Sequence, residues 1–358
     1  MAGKRQATPP VRRVVSELEE QSYFYPRGEG ELKFNDNTSP YGPSPSVRSL
    51  MGRSVVDIIG GFGESTFYPD QSAAALRKDI AAAEGVDAEG IVVGCGADEL
   101  LDILFRVFIE AGDTVTAPVP AYFMFEHFAR LSSATVAKPP MGRPPSLPPP
   151  EPGSTVYIIS NPNNPTGAIF AEKEMLDIVD SFPGLVIVDE AYAEYSGRTL
   201  ARETATRPNL VVVRTFSKIH GLPNFRIGYS ISSVEIALEM RKVKNPFNVT
   251  TVSQKLASVA VKDREFVEHV RAENEVERGR LRRSLESMGL AVFDSSANFL
   301  LVDAGSRRDA LVAGLAGKGV YVKEVTEPFY EKCIRITVRS RDENSEMLSR
   351  LGDVLAAL

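Results

Sequence analysis

Four short runs constrain the fold of this chain more than any other feature: VYIIS (156–160), LVIVDE (185–190), LVVVRTF (210–216) and RIGYSIS (226–232). Each is β-branched, and most of their residues are apolar on both alternating faces. A strand exposed on one face would alternate apolar and polar residues; strands of this kind belong to a mostly parallel sheet covered on both sides. Helical patterns lie before and between them and can supply crossovers. SAAALRKDIAAAE (72–84) reads as a helix ending before Gly85, IVV (91–93) as a short buried strand, and DELLDILFRVFIEAG (98–112) as a helix closed by Gly112. This pattern predicts an α/β large domain, a mostly parallel sheet flanked by helices.

Two features punctuate the pattern. KPPMGRPPSLPPPEPG (138–153) is too proline-rich for helix or central strand and reads as a surface connection inside the large domain. After Pro246 the periodicity changes. A helical region over about 250–288 carries charge pairs at helical spacing, Arg264–Glu268 and Glu275–Arg278, with Gly279 as the expected weak point. NFLLVD (298–303), GVYVKEV (319–325) and CIRITV (333–338) then read as strands of a smaller α+β C-terminal domain. The expected division is 1–45 as an N-terminal segment joining the small domain, 46–245 as the large domain and 246–358 as the small one.

Composition removes several alternatives. With 358 residues, 43% hydrophobic and 25% charged, the chain is an ordinary globular one with room for about two domains. Its net charge of −6 gives no footing for a general nucleic-acid or anionic-membrane binder. No apolar run approaches the roughly 18 residues of a membrane span. Two cysteines and three histidines make a disulfide framework or a metal centre an unattractive reading, and no metal is expected. The first twenty residues lack an apolar core of signal-peptide length, so a cytoplasmic location is expected.

Four segments carry candidate chemistry. In TFSKIHGLPNFRIGY (215–229), Lys218 follows an apolar strand at the edge where ligands of α/β sheets collect. Taken alone, such a lysine is most simply a solvated surface residue. SNPNNPTG (160–167) is a turn after a strand. Asp189, in VDEAYAEY (188–195), ends a buried strand, where an unpaired carboxylate is expensive; it needs a structural ion pair or a cationic ligand. VVGCGADEL (92–100) joins a strand, a glycine turn and a helix start, which aims free N–H groups and a positive dipole end at one point, suited to a phosphate.

Together these segments resemble the fold-type I aminotransferases that use pyridoxal 5′-phosphate, and within them the histidinol-phosphate aminotransferase-like proteins. Lys218, Asn164, Asp189, Tyr192, Arg226 and the 94–99 turn occur in that family's order and approximate spacing. The likeness runs from about residue 30 to about 350. It implies a fold-type I architecture and a set of roles. Lys218 would carry the cofactor aldehyde as an imine and then act as general base. Asp189 would pair with the pyridine nitrogen. Asn164 and Tyr192 would face the phenolic oxygen, and Tyr122 would stack on the ring. Gly96, Ala97 and Asp98, with Thr215, Ser217 and Arg226, would hold the phosphate. Tyr68 would reach the phosphate of a neighbouring subunit, which implies a homodimer.

Substrate is less closely implied. Arg335 lies mid-strand on the face opposite Ile334, Ile336 and Val338, and the resemblance puts its fork on a substrate carboxylate or phosphate. Lys323 stands where the histidinol-phosphate enzymes usually carry a second Arg, and Asn37-Thr38-Ser39-Pro40 where they carry Asn-Glu-Asn-Pro. Ser39 and Tyr41 are further candidates for the substrate pocket. Arg339 is either an added charge at the cleft rim or a solvated one. The leading expectation is transamination of a small amino substrate, histidinol phosphate or a related amino acid, with a 2-oxo acid as co-substrate. VRSRDEN (338–344) and Leu222-Pro223 look closer to threonine-phosphate decarboxylases, so a decarboxylase of a phosphorylated amino acid is the alternative, with a specialised-metabolism enzyme on the same scaffold behind it. A sensor that merely binds the cofactor would need an appended DNA-binding module, and about 30 residues ahead of the matched region are too few.

Overall fold

The computed structural model describes residues 11–18, 20, 28 and 30–358; part of the 1–45 segment therefore lies outside the described residues. Twelve strands run in chain order: β1 (Leu32–Phe34), β2 (Ile91–Gly94), β3 (Thr114–Thr116), β4 (Thr135–Ala137), β5 (Val156–Ser160), β6 (Leu185–Asp189), β7 (Leu210–Thr215), β8 (Gly228–Ile231), β9 (Ala291–Val292), β10 (Phe299–Asp303), β11 (Val320–Glu324) and β12 (Cys333–Thr337). They form a seven-stranded sheet, β2-β8-β7-β6-β5-β3-β4, and a five-stranded sheet, β1-β11-β12-β10-β9.

In the larger sheet the pairs from β7 through β6, β5 and β3 to β4 are parallel, while β8 runs antiparallel to both β7 and β2. RIGYSIS, apolar like its neighbours, is thus the reversed strand of an otherwise parallel sheet. Alternate residues of β5, β6 and β7 feed two separate cores. Tyr157, Ile159, Val186, Val188 and Val212 pack on one face with Leu76 and Ile80 of the helix Ala74–Glu84 and with Leu256 of the helix Thr251–Lys262. Val156, Ile158, Ile187, Val211 and Val213 pack on the other with the helices Gly96–Phe108, Met124–Leu131 and Val234–Val243. Burial on both faces is why these runs carry so few polar residues.

The smaller sheet packs one face on Leu281 and Leu285, Leu311 and Leu315, and Met347 and Leu351. β1, from the N-terminal side, joins it parallel to β11.

Three details differ from the sequence reading. The helix expected to close at Gly112 ends at Phe108, and its start moves back to Gly96. The 250–288 region breaks at Asp263, between the helices Thr251–Lys262 and Arg264–Ser287, and Gly279 lies inside an unbroken helix. Asp263 makes the break because its side chain caps the second helix, accepting from the Phe266 N–H at 3.3 Å. Neither helical charge pair closes as an ion pair: Glu268 is bridged by Arg271, and Arg278 donates to the Ala297 carbonyl at 3.1 Å. Among the described residues no helix is long and apolar enough to cross a membrane.

Candidate active site

Parallel strands align their carboxyl ends, and here Ser160 faces Asp189 and Asp189 faces Val213 in register. The loops after β5, β6 and β7 therefore open into one crevice, carrying Asn164, then Tyr192, then Ser217 and Lys218. β2 points the same way and delivers the glycine turn. Because β8 is reversed, its amino end reaches the same edge, where Gly228 pairs with both Thr215 and Gly94. Arg226 enters the crevice by that route.

The glycine turn is built tightly. Gly96, first residue of its helix, has φ +83°, which favours glycine. A Cβ there would stand 2.7 Å from Nη2 of Arg226, so the guanidinium lies against the helix start. A Cβ at Gly228 would stand 2.9 Å from the Ala97 nitrogen, as β8 passes beneath the turn. Asp98 accepts from Arg226 Nη2 at 3.4 Å and from the Tyr122 hydroxyl at 3.1 Å. Thr215 Oγ1 accepts from the Ser217 N–H at 3.1 Å and shapes the turn into Lys218.

Deeper in the crevice, Asp189 is buried and accepts from the Ala191 N–H at 3.0 Å. Burial pushes its carboxyl up to about 7; Asp98 and Glu190 act in the same direction, while Lys218 and the Ala191 N–H oppose them. Lys218 Nζ donates to the Asp36 carbonyl at 3.1 Å and lies 5.6 Å from the centre of the Tyr192 ring. The Tyr192 hydroxyl accepts from Asn37 Nδ2 at 3.0 Å.

Arg335 projects from β12 toward the loop after β5. It donates from Nη1 to Asn164 Oδ1 and from Nη2 to the Asn35 carbonyl, both at 2.6 Å, and lies over the Phe299 ring. It is 8% exposed, its Nε has no partner, and among the described residues no carboxylate reaches ion-pair distance. A buried guanidinium held by neutral acceptors alone is a ready site for an anion. Lys323 pairs directly with Arg335 across β11 and β12, which puts both cations on one face of the sheet.

The remaining expected residues fall as follows. Tyr41 packs beside Tyr192, Ile219 and Phe299, and burial, followed by Glu273, Glu277 and Glu343, pushes its hydroxyl up to about 12. The Ser39 hydroxyl accepts from the Tyr41 N–H at 3.4 Å and bonds Tyr195. Arg339 is neither a free rim charge nor solvated: it bridges Glu343 at 2.7 Å and donates to Thr38 Oγ1 at 3.3 Å. Tyr68 faces outward, 79% exposed and stacked on Phe247 with ring centres 4.4 Å apart.

Sequence reasoning missed Asn35, Asp36 and Asn37 as site residues. Asn37 is buried at φ 56°, accepts from Thr337 Oγ1 and offers its carbonyl to Asn298 Nδ2. The available signal was its residue type, since asparagine tolerates that conformation better than most side chains.

These residues fit pyridoxal 5′-phosphate. The Gly96 turn with Arg226 suits a dianion, buried Asp189 suits a protonated ring nitrogen, Asn164 and Tyr192 face the space between, and Lys218 supplies the amine.

Comparison with known proteins gives the same class. The family model described as aminotransferase class I and II matches residues 29–351. The chain is 32% identical over 343 residues to a histidinol-phosphate aminotransferase of Shouchella clausii (strain KSM-K16), covering 92% of this chain and 91% of that one. It is 34% identical over 328 residues to histidinol-phosphate aminotransferase 2 of Archaeoglobus fulgidus, covering 90% and 93%. In fold it is similar to the crystal structure of histidinol-phosphate aminotransferase from Sinorhizobium meliloti in complex with pyridoxal-5′-phosphate, with a TM-score of 0.87 at 24% identity over 98% and 99% of the two chains. By the length of these matches and by its fold, the chain belongs to the class I and II aminotransferases.

Proposed function

We propose that this aminotransferase acts on histidinol phosphate or a closely related small amino substrate, with a 2-oxo acid as the second substrate, and that Lys218 is the residue through which the reaction runs. The observation that carries the substrate class is Arg335. It is a buried cation held by Asn164 and Asn35 alone, with Lys323 beside it in register. That face has charge for a carboxylate and a phosphate. The relatives' names support the phosphorylated choice.

When bound, pyridoxal phosphate supplies an electron-poor ring that takes up the electrons released at the substrate's α-carbon. The chain does the rest. Gly96, Ala97 and Asp98, with Thr215, Ser217 and Arg226, hold the phosphate. Tyr122 covers one face of the ring, and Asn164 and Tyr192 hold its phenolic oxygen. The Asp189 carboxylate, given a cationic partner, keeps a proton on the ring nitrogen. Lys218 Nζ would take the proton from the substrate's α-carbon and hold it as general base. Arg335 anchors the substrate's anionic end, with Lys323, Tyr41 and Ser39 shaping the pocket around it.

Tyr68 serves the site of a second copy, so the active unit is a homodimer. The outward-facing Phe62, Phe67 and Tyr68, with Phe247 stacked on Tyr68, support this, since exposed apolar rings together mark an interface. A division into an N-terminal segment 1–45, a large domain 46–245 and a small domain 246–358, in a cytoplasmic protein, completes the reading.

The test is a substrate panel of histidinol phosphate, threonine phosphate, glutamate, phenylalanine and arginine, read by loss of the visible cofactor band and by product analysis. A keto product without carbon dioxide is expected from histidinol phosphate; carbon dioxide with an amine product would select decarboxylation and overturn the reading. Lys218→Ala should abolish both the band and turnover. An active, yellow Lys218→Ala protein would refute the assignment of Lys218.

A further inference from the structure

A buried ionic cluster lies next to the site without belonging to it. Arg214, on β7 four residues before Lys218, is 4% exposed. Its Nε donates to Glu190 Oε2 at 2.9 Å and its Nη1 to Glu194 Oε1 at 3.0 Å. Nη1 also stands 3.6 Å from Glu84, which accepts from the Tyr229 hydroxyl at 3.0 Å. Fully buried Glu190 takes two more donors, Thr199 Oγ1 and the Leu200 N–H, each at 2.7 Å. The His220 ring packs on Phe216, with Nε2 4.0 Å from Glu194. Burial and Arg214 hold that imidazole down to about 4 against the pull of Asp263, so it is neutral near pH 7.

The pattern of connections is informative. Glu190 directly follows Asp189, and Glu194 lies two residues after Tyr192. Arg214 and His220 flank Thr215, Ser217 and Lys218. One guanidinium thus bridges the segment bearing the carboxylate and the segment bearing the amine. Packing alone does not call for such a bridge, because apolar residues of similar volume often stabilise a buried site as well or better. A planar guanidinium that gives one N–H to each of two carboxylates fixes distance and angle in a way that apolar contacts do not.

We propose that Arg214 is a positioning residue for the reaction: by binding Glu190 and Glu194 together it sets the place of the Lys218 amine relative to Asp189. This rests on the reading of Lys218 given above. It adds a residue that touches neither substrate nor cofactor.

The test uses the full-length, cofactor-loaded protein and the variant Arg214→Lys, which keeps the charge and loses the fork. Wild-type protein is first reduced with borohydride and its labelled peptide mapped. The pH midpoint of the visible band, kcat, KM and the melting temperature of cofactor-free protein are then compared. Label at Lys218 is expected. In Arg214→Lys, kcat should fall on the order of 100-fold, as for a misplacement of about 1 Å. KM should change little, and the band midpoint should move by about one pH unit. A lower melting temperature with an unchanged midpoint and kcat makes the cluster ordinary core and overturns the proposal, while the reading of Lys218 stands. Label elsewhere than Lys218 overturns both. If Arg214→Lys does not fold, Glu190→Gln, which keeps a neutral acceptor for Nε, is judged by the same midpoint and kcat.

Discussion

Replacing Asp189 by Asn should move stability and cofactor affinity in opposite directions. In the cofactor-free chain, burial raises this carboxyl from 3.8 to about 7. A rise of roughly three pH units at about 1.4 kcal/mol each means that ionised Asp189 opposes folding by about 4 kcal/mol. The sign follows from proton binding. Between about pH 4 and pH 7 the folded chain holds this proton and the unfolded chain has released it, so the contribution to stability is complete below pH 4 and is lost as pH rises through 7. Asn has no such titration, and its side-chain oxygen still accepts from the Ala191 N–H. Cofactor-free Asp189→Asn should therefore match wild type near pH 4 and exceed it by up to about 4 kcal/mol at pH 8. Cofactor affinity should fall at the same pH, because a neutral amide does not hold a proton on the ring nitrogen. Urea unfolding of the stripped proteins at pH 4.5, 6 and 8, with a cofactor titration of each, checks both halves. A stability difference that stays flat across this range, or an Asn variant that binds cofactor as wild type does, would refute the assignment of Asp189 as a buried carboxylate waiting for a cation.

Other perturbations follow from distances in the site. Gly96→Ala adds a Cβ 2.7 Å from Arg226 Nη2 at φ +83°, so cofactor affinity measured by fluorescence titration should fall with a backbone strain of about 1–3 kcal/mol; unchanged affinity would remove Gly96 from the phosphate cradle. Arg335→Lys keeps a charge but loses the fork that spans Asn164 and Asn35, and should weaken kcat/KM for amino and oxo substrates alike by about 2–4 kcal/mol of hydrogen bonding; an effect confined to one of them would break the shared-anchor reading. Phe247→Ala removes the ring beneath Tyr68, worth about 0.5–1.5 kcal/mol beyond its area, and should raise the dimer dissociation constant in sedimentation while loosening the cofactor; a tight dimer with weakened cofactor would confine the stack to placing Tyr68.

The large sheet was legible wherever burial on two faces left apolar runs, hence β5, β6 and β7 within a residue or so. β3 and β4 were not. TVT and TVA are only three residues long, and they become strands because β5 offers an edge to β3 and β3 in turn offers one to β4. The break at Asp263 was hidden for a similar reason. A glycine within a helix is a local signal and drew attention to Gly279, where a Cβ would meet nothing closer than the Arg283 guanidinium at 3.4 Å. The true break depends on a cap, and an aspartate is ambiguous until its N–H partner is known. In the site, residues inside short motifs stood out, whereas their supports did not. Asn37 reaches Tyr192 across 155 positions and Arg335 reaches Asn164 across 171, pairings that no local pattern encodes.

Two buried ionisable groups frame the proposed reaction. Asp189 and Arg335 are both about nine-tenths buried or more, of opposite sign, and neither is paired with the other. Each is held by neutral groups, Asp189 by a backbone N–H and Arg335 by an amide oxygen and a carbonyl. Burying a charge on such terms is expensive, and a direct ion pair between them would relieve both. Asn164 turns its oxygen to Arg335 and occupies one arm of its fork with a neutral acceptor. The crevice thus holds a buried carboxyl and a buried guanidinium, neither with an ion-pair partner among the described residues, as the proposed cofactor and substrate sites require. Arg335, a cation in place before binding, needs no reorganisation when an anion arrives, which is the condition under which fixed charges lower a barrier most.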